Sequence, residues 1–106
     1  MTVEQRNSLR RVIKTKALLA LDGRGTDSGR TTDVGMDGLG INFPDPVDAG
    51  RPGYVRFTVL MEGQPSVVTA RVKTQYCIFS QGEFKVGLQF MDLDQSASVV
   101  ISRYLR

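Results

Sequence analysis

The sequence predicts a mainly β fold, a six- to seven-stranded antiparallel β-barrel with a C-terminal α-helix. Two observations lead to this prediction. Short runs of alternating apolar and polar residues, separated by glycine-rich turns, fill most of the chain between residues 17 and 90. The last segment changes to the period of a helix. Many short strands joined in this way are typical of a small closed or nearly closed barrel, with the helix covering one end.

The first predicted strands flank an acidic turn. Residues 17–22 form a short apolar run, which indicates a strand buried on both faces or one entering a barrel. The stretch 23–29 is rich in Gly, Asp, Ser and Thr and is interpreted as a loop. Residues 30–33 and 38–43 suit two further short strands, with the acidic glycine turn making the corner between them. Two prolines then end the second of these strands, and a loop is expected as far as residue 53.

The middle of the chain alternates clearly. Residues 54–62 are expected to form a strand, followed by a turn at 63–65. Residues 66–79 continue the alternation and are long for one strand, so a bend or bulge is expected within them. A turn at 80–82 leads to a last strand over 84–90. The inward face of the long strand is predicted to carry Val68, Ala70, Val72, Thr74, Tyr76 and Ile78.

The C-terminal segment has one apolar stripe at helical spacing. Its start can be capped by Asp92 together with Gln95, or by Asp94 alone. The stripe consists of Ala97, Val100, Ile101, Tyr104 and Leu105.

The composition limits the classes of function. The 106 residues suit a single domain, 1–106, and residues 1–15 are expected to be a basic, flexible N-terminal arm. The sequence contains no histidine and one cysteine, Cys77, which excludes the usual zinc sites and a serine triad. The paired carboxylates Asp33 and Asp37 are interpreted as solvated turn residues because they belong to a glycine-bearing turn. We therefore expect a protein that is not an enzyme and has no cofactor.

The same features bear on location. No apolar run is long enough for a membrane helix, and no signal peptide is visible at the N-terminus. A single cysteine fits a reducing compartment. We expect a cytoplasmic protein without membrane insertion.

Positive charge is concentrated near the N-terminus. The net charge is +3, yet residues 17–50 contain six acids and two arginines. The densest excess of cations lies in residues 1–16, where an anionic partner, most naturally a phosphate, is favoured. The cations there are Arg6, Arg10, Arg11, Lys14 and Lys16.

Two short motifs stand on either side of the first strand-like run. Arg6 and Arg10 are four residues apart, and the turn Asp33–Gly38 follows. Each motif is common alone, but this order and spacing can close a positively charged clamp over a planar anionic ligand. Arginine suits such a task because its planar guanidinium can form two parallel hydrogen bonds to phosphate oxygens.

Together these residues resemble the PilZ domain family, a bacterial module that binds cyclic di-GMP. The family pattern R-x-x-x-R is matched by Arg6 and Arg10, and [DN]-x-S-x-x-G by Asp33 and Gly38. Gly35 stands where the family usually has serine. The segment Val86-Gly-Leu-Gln-Phe90 is similar to a late strand of the family, and an acidic residue and a helix follow it.

The resemblance implies a second-messenger receptor that signals through a protein partner. In that role Arg6 and Arg10 would hold the ligand, and Arg11 would stand in for Arg10 or add a phosphate contact. Asp33 would accept hydrogen bonds from guanine or hold an arginine in place. Gly35 and Gly38 would let the backbone approach the ligand closely, and the Gly35 N–H would partly replace the missing hydroxyl.

Three alternatives stay open at this point. A PilZ-like interaction module that has lost nucleotide binding is motivated by Gly35. A nucleic-acid-binding barrel is motivated by the basic balance, but exposed aromatic residues are few and basic residues do not pattern one strand face, so nucleic acid is not expected. An enzyme is the least favoured.

Overall fold

The computed structural model describes residues 9–106, which form a mainly β fold of seven strands followed by one helix. The elements in chain order are β1 (Arg10–Val12), β2 (Lys16–Leu21), β3 (Thr26–Gly35), β4 (Gly38–Phe43), β5 (Pro52–Met61), β6 (Gln64–Ser80), β7 (Glu83–Asp92) and α1 (Gln95–Leu105).

All seven strands belong to one antiparallel sheet that curls back on itself. The strand order is β1-β3-β2-β5-β6-β7-β4, and β3 also pairs with β4. This extra pairing joins the two ends of the sheet, so β2 to β7 form a closed, barrel-like ring. β1 and β2 lie one after the other along β3, β1 beside residues 33–35 and β2 beside residues 26–30. The predicted class, mainly β with a C-terminal helix, is confirmed.

Regular structure begins earlier than the sequence analysis expected. The described part of the predicted arm contains β1, and Ile13 is buried in the core at 5% exposure. Likewise β3 begins at Thr26, so the predicted loop 23–29 shrinks to a tight turn. The polar residues there resemble a loop in sequence because one face of the β2–β3 hairpin is open to water. A glycine is needed at position 29 of β3 because any side chain there would collide with β4. A Cβ would lie 2.4 Å from the Asn42 carbonyl oxygen.

The prediction that residues 17–22 are buried on both faces is wrong. Ala17, Leu19 and Leu21 are buried, whereas Leu18 and Ala20 are exposed. The strand is one wall of the ring, so only its inner face is covered, and this agrees with the alternative of a strand entering a barrel.

The predicted irregularity in the long strand is present and changes which residues face the core. In β6 the register with β7 shifts between Thr74 and Tyr76. Beyond that bulge Cys77 packs against the core, while Tyr76 and Ile78 are exposed, opposite to the predicted alternation. A bulge adds one residue to one strand and so reverses the facing of every residue after it.

The turn between β5 and β6 also moves by one residue. Glu62 and Gly63 have φ of 51° and 77°, and Pro65 belongs to β6 rather than to the turn. Two consecutive positive φ values are typical of the two-residue hairpin turn that matches strand twist.

The core fills the inside of the ring, and α1 closes it. Ala97, Ile101 and Leu105 are buried, and Val100 and Tyr104 pack against the core, which confirms the predicted stripe. Burying a side chain such as Ile101 contributes about 1.5–3 kcal/mol. No helix within residues 9–106 has the length and apolar character needed to cross a membrane.

The helix start is fixed by one of the two predicted caps. The Asp94 carboxylate accepts a hydrogen bond from the Ala97 backbone N–H at 2.8 Å. Such a cap satisfies one of the amide groups that a helix leaves free at its first turn.

Candidate functional site

Arg10 is held between two carboxylates at one end of the sheet. It lies in β1 opposite Gly35, where β3 ends and the turn to β4 begins. Its Nε donates to Asp33 Oδ2 at 2.8 Å, and its Nη1 donates to Asp37 Oδ1 at 2.7 Å. The Arg10 side chain is 36% exposed, so a ligand can reach the guanidinium from solvent.

The structure brings together most of the residues that the sequence singled out. Arg10, Asp33, Gly35 and Gly38 all lie around this turn. Arg6 lies outside the described residues.

Arg11 lies on the other side of its strand, away from this cluster. Its guanidinium stacks 4.6 Å from the Tyr104 ring centroid and donates to the Tyr104 carbonyl oxygen. The Tyr104 hydroxyl donates in turn to the Val12 carbonyl oxygen at 2.8 Å. Consecutive residues of a strand point to opposite faces of the sheet, so Arg10 and Arg11 cannot both contact a ligand on one face. Arg11 fastens the end of α1 to β1.

The Asp33 carboxylate is the better anchored of the two acids. It accepts from the Thr32 hydroxyl at 2.7 Å, and the Lys85 Nζ lies 3.9 Å away. Partial burial alone would raise the pKa of Asp33. The hydrogen bonds from Arg10 and Thr32, with the charges of Arg10 and Lys85, outweigh that effect and hold its pKa below the ordinary value. Asp33 is therefore ionised at neutral pH.

Asp37 is more exposed, with 59% of its side chain open to solvent. Its backbone oxygen accepts from the Phe90 N–H at 2.9 Å, which ties the turn to β7. The sequence pattern indicates a solvated turn residue at Asp37, whereas in the structure Asp37 is the second partner of Arg10. The sequence does not show that this turn acid pairs with an arginine, because the arginine lies 27 residues earlier in the chain.

Gly35 leaves the space in which Arg10 and Asp37 meet. A Cβ at this position would lie 2.8 Å from Asp37 Oδ1, 3.1 Å from Arg10 Nη1 and 3.0 Å from the Leu9 carbonyl oxygen. Its φ is outside the left-handed region, so the backbone itself would accept serine. A side chain here would have to push the Arg10–Asp37 pair apart.

The other glycines of the site let strands and side chains approach closely. A Cβ on Gly38 would lie 2.1 Å from the Leu88 carbonyl oxygen, and one on Gly40 would lie 2.4 Å from Asp33 Oδ1. A Cβ on Gly87 would overlap the Tyr76 ring, which therefore lies flat over this strand. Gly38 thus has a packing role in addition to any role toward a ligand.

A cleft of about 220 Å³ opens beside Arg10. Two glycines, Tyr76 and two glutamines from β6 and β7 contribute to its lining. The polar and aromatic residues of this wall were absent from the sequence prediction, because the bulge in β6 brings Tyr76 to the outside. The lining residues are Arg10, Asp37, Gly38, Leu39, Gln75, Tyr76, Gly87, Leu88 and Gln89.

Comparison with protein families gives one match. The family model described as "PilZ domain" matches residues 4–106, nearly the whole chain. No curated protein sequence matches.

Several solved structures share the fold at low sequence identity. The Bacillus subtilis inhibitor of motility MotI/DgrA superposes with a TM-score of 0.84 at 8% identity, covering 98% of this chain and 51% of that one. The PilZ domain of Escherichia coli YcgR, solved with c-di-GMP, gives a TM-score of 0.67 at 10% identity, covering 96% and 89%. A tetrameric PilZ protein from Xanthomonas campestris gives 0.57 at 15% identity, covering 74% and 42%. The chain thus spans about half the length of the first of these proteins.

Proposed function

This chain belongs to the PilZ domain family, and on that premise we propose that it is a receptor for the bacterial second messenger cyclic di-GMP. The observation that carries the proposal is the Arg10 guanidinium. It is partly exposed at the mouth of a cleft and lies beside the turn that matches the family motif. The PilZ domain of YcgR, which shares this fold, was solved with c-di-GMP.

The chemistry of the cleft suits a cyclic dinucleotide. A guanidinium can form two parallel hydrogen bonds to a phosphate or to the O6/N7 edge of guanine. Tyr76 offers an aromatic face for stacking, and Gln75 and Gln89 offer amide donors and acceptors. The cleft volume of about 220 Å³ is small for a whole cyclic dinucleotide, so it would hold one base and its phosphate, with the remainder of the ligand outside the cleft.

Arg10 cannot bind a phosphate without changing its present partners. Asp33 has additional support from Thr32 and Lys85, whereas Asp37 is exposed and has only Arg10 as a side-chain partner among the described residues. We propose that the ligand phosphate displaces Asp37 from Arg10, while Asp33 continues to accept the hydrogen bond from Arg10 Nε. Asp37 then acts as a competitor that sets the affinity.

The output of the receptor would be a protein partner. The proposal contains no catalytic step and no cofactor, and the chain is taken to act in the cytoplasm. Ligand binding at Arg10 would change the turn between β3 and β4, where Met36 is 42% exposed, and a partner would detect that changed surface.

A second candidate function is an interaction module without nucleotide binding. The observation in its favour is that Arg10 is neutralised by two carboxylates and that Gly35 offers no hydroxyl.

Isothermal titration with cyclic di-GMP separates the two candidates. We expect binding by the parent protein and a loss of at least about tenfold in Arg10→Ala, the range for one good bidentate contact. Arg11→Ala is the matched control, because it removes the same charge one residue away on the opposite face of β1. We expect it to keep its affinity, since Arg11 contacts Tyr104 instead. Absence of binding in the parent at millimolar ligand would favour the interaction module.

A further inference from the structure

The outer face of the sheet carries no negative charge over three neighbouring strands. β2, β5 and β6 are adjacent in the ring, and their sequences contain no Asp or Glu at all. The outward positions of these strands nevertheless hold several cations. Such a one-signed surface on a protein of net charge +3 points to a polyanionic partner.

The strand register arranges five cations in one continuous path. Lys16 of β2 is the direct partner of Arg30 in β3. Arg56 of β5 is a diagonal neighbour of Lys16, since Ala17 pairs with Phe57. Arg71 of β6 is diagonal to Arg56, and Lys73 follows two residues later on the same face.

The spacing along this path is regular. Direct neighbours across strands are about 5 Å apart and diagonal neighbours about 7–8 Å, while residues two apart on a strand are separated by roughly 6.6 Å. The path from Arg30 to Lys73 is therefore about 25 Å long and one side chain wide. We name it the basic path.

The cations of the basic path are available to a partner. All five are exposed. Within residues 9–106 none of them forms an ion pair, whereas Arg10, Arg24, Arg51 and Lys85 all do. Two acids flank the basic path. Asp92 of β7 is the direct cross-strand partner of Arg71, and Asp22 follows the end of β2, but neither forms an ion pair with the path within residues 9–106. The hydrogen bond and charge interaction with Tyr54, and after them these two acids, raise the pKa of Arg71, which stays charged throughout the physiological range.

An aromatic ring lies in the middle of the path. Tyr54 is 48% exposed, directly opposite Arg71 and two residues from Arg56. The Arg71 guanidinium lies 5.3 Å from the ring centroid and donates to the phenol oxygen at 3.3 Å. A ring between cations on an open sheet is the arrangement on which bases of a single strand stack while its phosphates meet the cations.

We propose that this face binds single-stranded nucleic acid, independently of the cyclic di-GMP cleft. A linear path fits a chain-like polyanion, and its length suits the lower end of the roughly 4–16 nucleotides that one barrel covers. Exposed apolar side chains, which a lipid surface would need, also occur on this face, since Leu18 is 38% exposed opposite Arg56 and Val67 is 64% exposed two residues before Thr69. The single row of cations with an aromatic ring among them favours a single strand, and vesicle binding is an outcome of the test below.

The sequence alone does not favour nucleic acid, because basic residues do not pattern one strand face and exposed aromatic residues are few. The members of the basic path come from four strands, β2, β3, β5 and β6, and they lie side by side only because of the register between these strands.

Fluorescence anisotropy with a labelled single-stranded 12-mer of mixed sequence tests the proposal. The parent protein should bind at low salt, with a slope of log K against log salt near −3.5, the value for about five phosphate contacts on a single strand. Arg56→Ala combined with Arg71→Ala should weaken binding at least about tenfold and reduce the slope to about −2. Tyr54→Leu should weaken binding by about fivefold or more with the slope unchanged.

The matched control is Arg103→Ala combined with Arg106→Ala, which removes the same charge from exposed positions on and after α1. It should bind like the parent, as should Arg10→Ala, since the cleft is a separate site. Melting temperatures of all variants are measured to confirm folding. Any one of three results overturns the proposal. These are an equal loss of affinity in both double variants, tighter binding of duplex than of single strand, and no saturable binding by the parent. Binding of the parent to anionic vesicles but not to the 12-mer also overturns it, in favour of a membrane surface.

Discussion

At the scale of single residues, the proposed site depends on the competition for Arg10. Its guanidinium already has two carboxylate partners, at 2.8 Å and 2.7 Å. Exposed ion pairs of this kind contribute only about 0–1 kcal/mol, so the contact to Asp37 can be exchanged for a doubly bonded phosphate. The contact to Asp33 is better supported and positions the arginine for that exchange.

Replacing the competitor should strengthen binding. In Asp37→Asn the negative charge beside Arg10 Nη1 is gone, and we expect cyclic di-GMP affinity to rise by about two- to fivefold, equivalent to about 0.5–1 kcal/mol. Titration calorimetry measures the change, with Asp45→Asn, an exposed loop acid, as the charge-matched control. Weaker binding in Asp37→Asn would mean that Asp37 supports the ligand, and unchanged binding would mean that Asp37 does not compete with it.

Gly35 can be tested with two side chains that differ by one hydroxyl. A Cβ at this position comes within 2.8 Å of Asp37 Oδ1, so both Gly35→Ala and Gly35→Ser should push Asp37 away and tighten binding. Serine should gain up to about a further tenfold if its hydroxyl meets the ligand. Both should lower the melting temperature slightly, because the Leu9 carbonyl oxygen lies 3.0 Å from the added carbon.

Equal affinities of the serine and alanine variants would show that displacement of Asp37, and no hydroxyl contact, accounts for the gain. If neither variant binds more tightly than the parent, the pair of Arg10 and Asp37 does not limit affinity.

Asp33 should make folding stability depend on pH in the acid range. Its pKa in the folded protein lies below the ordinary value, so its stabilising contribution is present above the unfolded value of about 4 and is lost as pH falls through the folded value. Compared with Asp33→Asn, the parent should be more stable by about 1 kcal/mol at pH 7. Urea unfolding at pH 7 and near pH 2.5 measures the difference, which should shrink at the lower pH. If the difference in unfolding free energy is the same at both pH values, packing rather than the charge of Asp33 accounts for it.

At the scale of elements, the site is built where β4 meets β7 and β1 meets β3. The close approach of β4 to β7 depends on Gly38, because a Cβ there would lie 2.1 Å from the Leu88 carbonyl oxygen. The bulge in β6 places Tyr76 over Gly87 at the side of the same cleft. These close contacts therefore shape the cleft, and they are possible because positions 38 and 87 are glycines, which have no side chain.

Gly38→Ala should consequently destabilise the fold. The added methyl group cannot be accommodated without moving β4 away from β7, and overpacking of this kind costs about 1–3 kcal/mol. Thermal unfolding measures the loss, with Gly25→Ala as the control, because no atom lies within 4 Å of a Cβ at that turn position. Similar melting temperatures for the two variants would contradict the packing role of Gly38.

At the scale of the whole molecule, the ring of strands is closed by the pairing of β3 with β4 and capped by α1. Both candidate ligand sites lie on this one closed structure, the cleft at one end of the sheet and the basic path on its outer face. Because the core is shared, a ligand that binds the folded state stabilises the molecule as a unit.

Cyclic di-GMP should therefore raise the melting temperature of the parent. At a ligand concentration about 100 times Kd the gain is about 2.7 kcal/mol, which corresponds to roughly 10–20 °C for a domain of this size. Differential scanning calorimetry measures the shift. Arg11→Ala should show the same shift from its own lower starting value, and Arg10→Ala a much smaller one. A parent protein that does not respond to saturating ligand would contradict the receptor function.

The sequence alone determined the class of the fold and most of its elements. Alternating apolar residues identified β5 and β7, and the helical stripe identified α1. A strand or helix that buries one face has apolar residues at regular intervals, and this period is visible in the sequence. The motifs around Arg10 and Asp33 indicated the family, since these residue types occur in a fixed order along the chain.

Which of these residues meet depends on the folded arrangement of the strands. The division of Arg10 and Arg11 between opposite faces required β1, a strand hidden in a polar segment. The partnership of Arg10 with Asp37, the outward position of Tyr76 and the alignment of the basic path all depend on how neighbouring strands are placed and on the register between them. Periodicity reports whether a residue faces inward or outward, but it carries no information about which strand lies beside it, and that pairing is what creates a site.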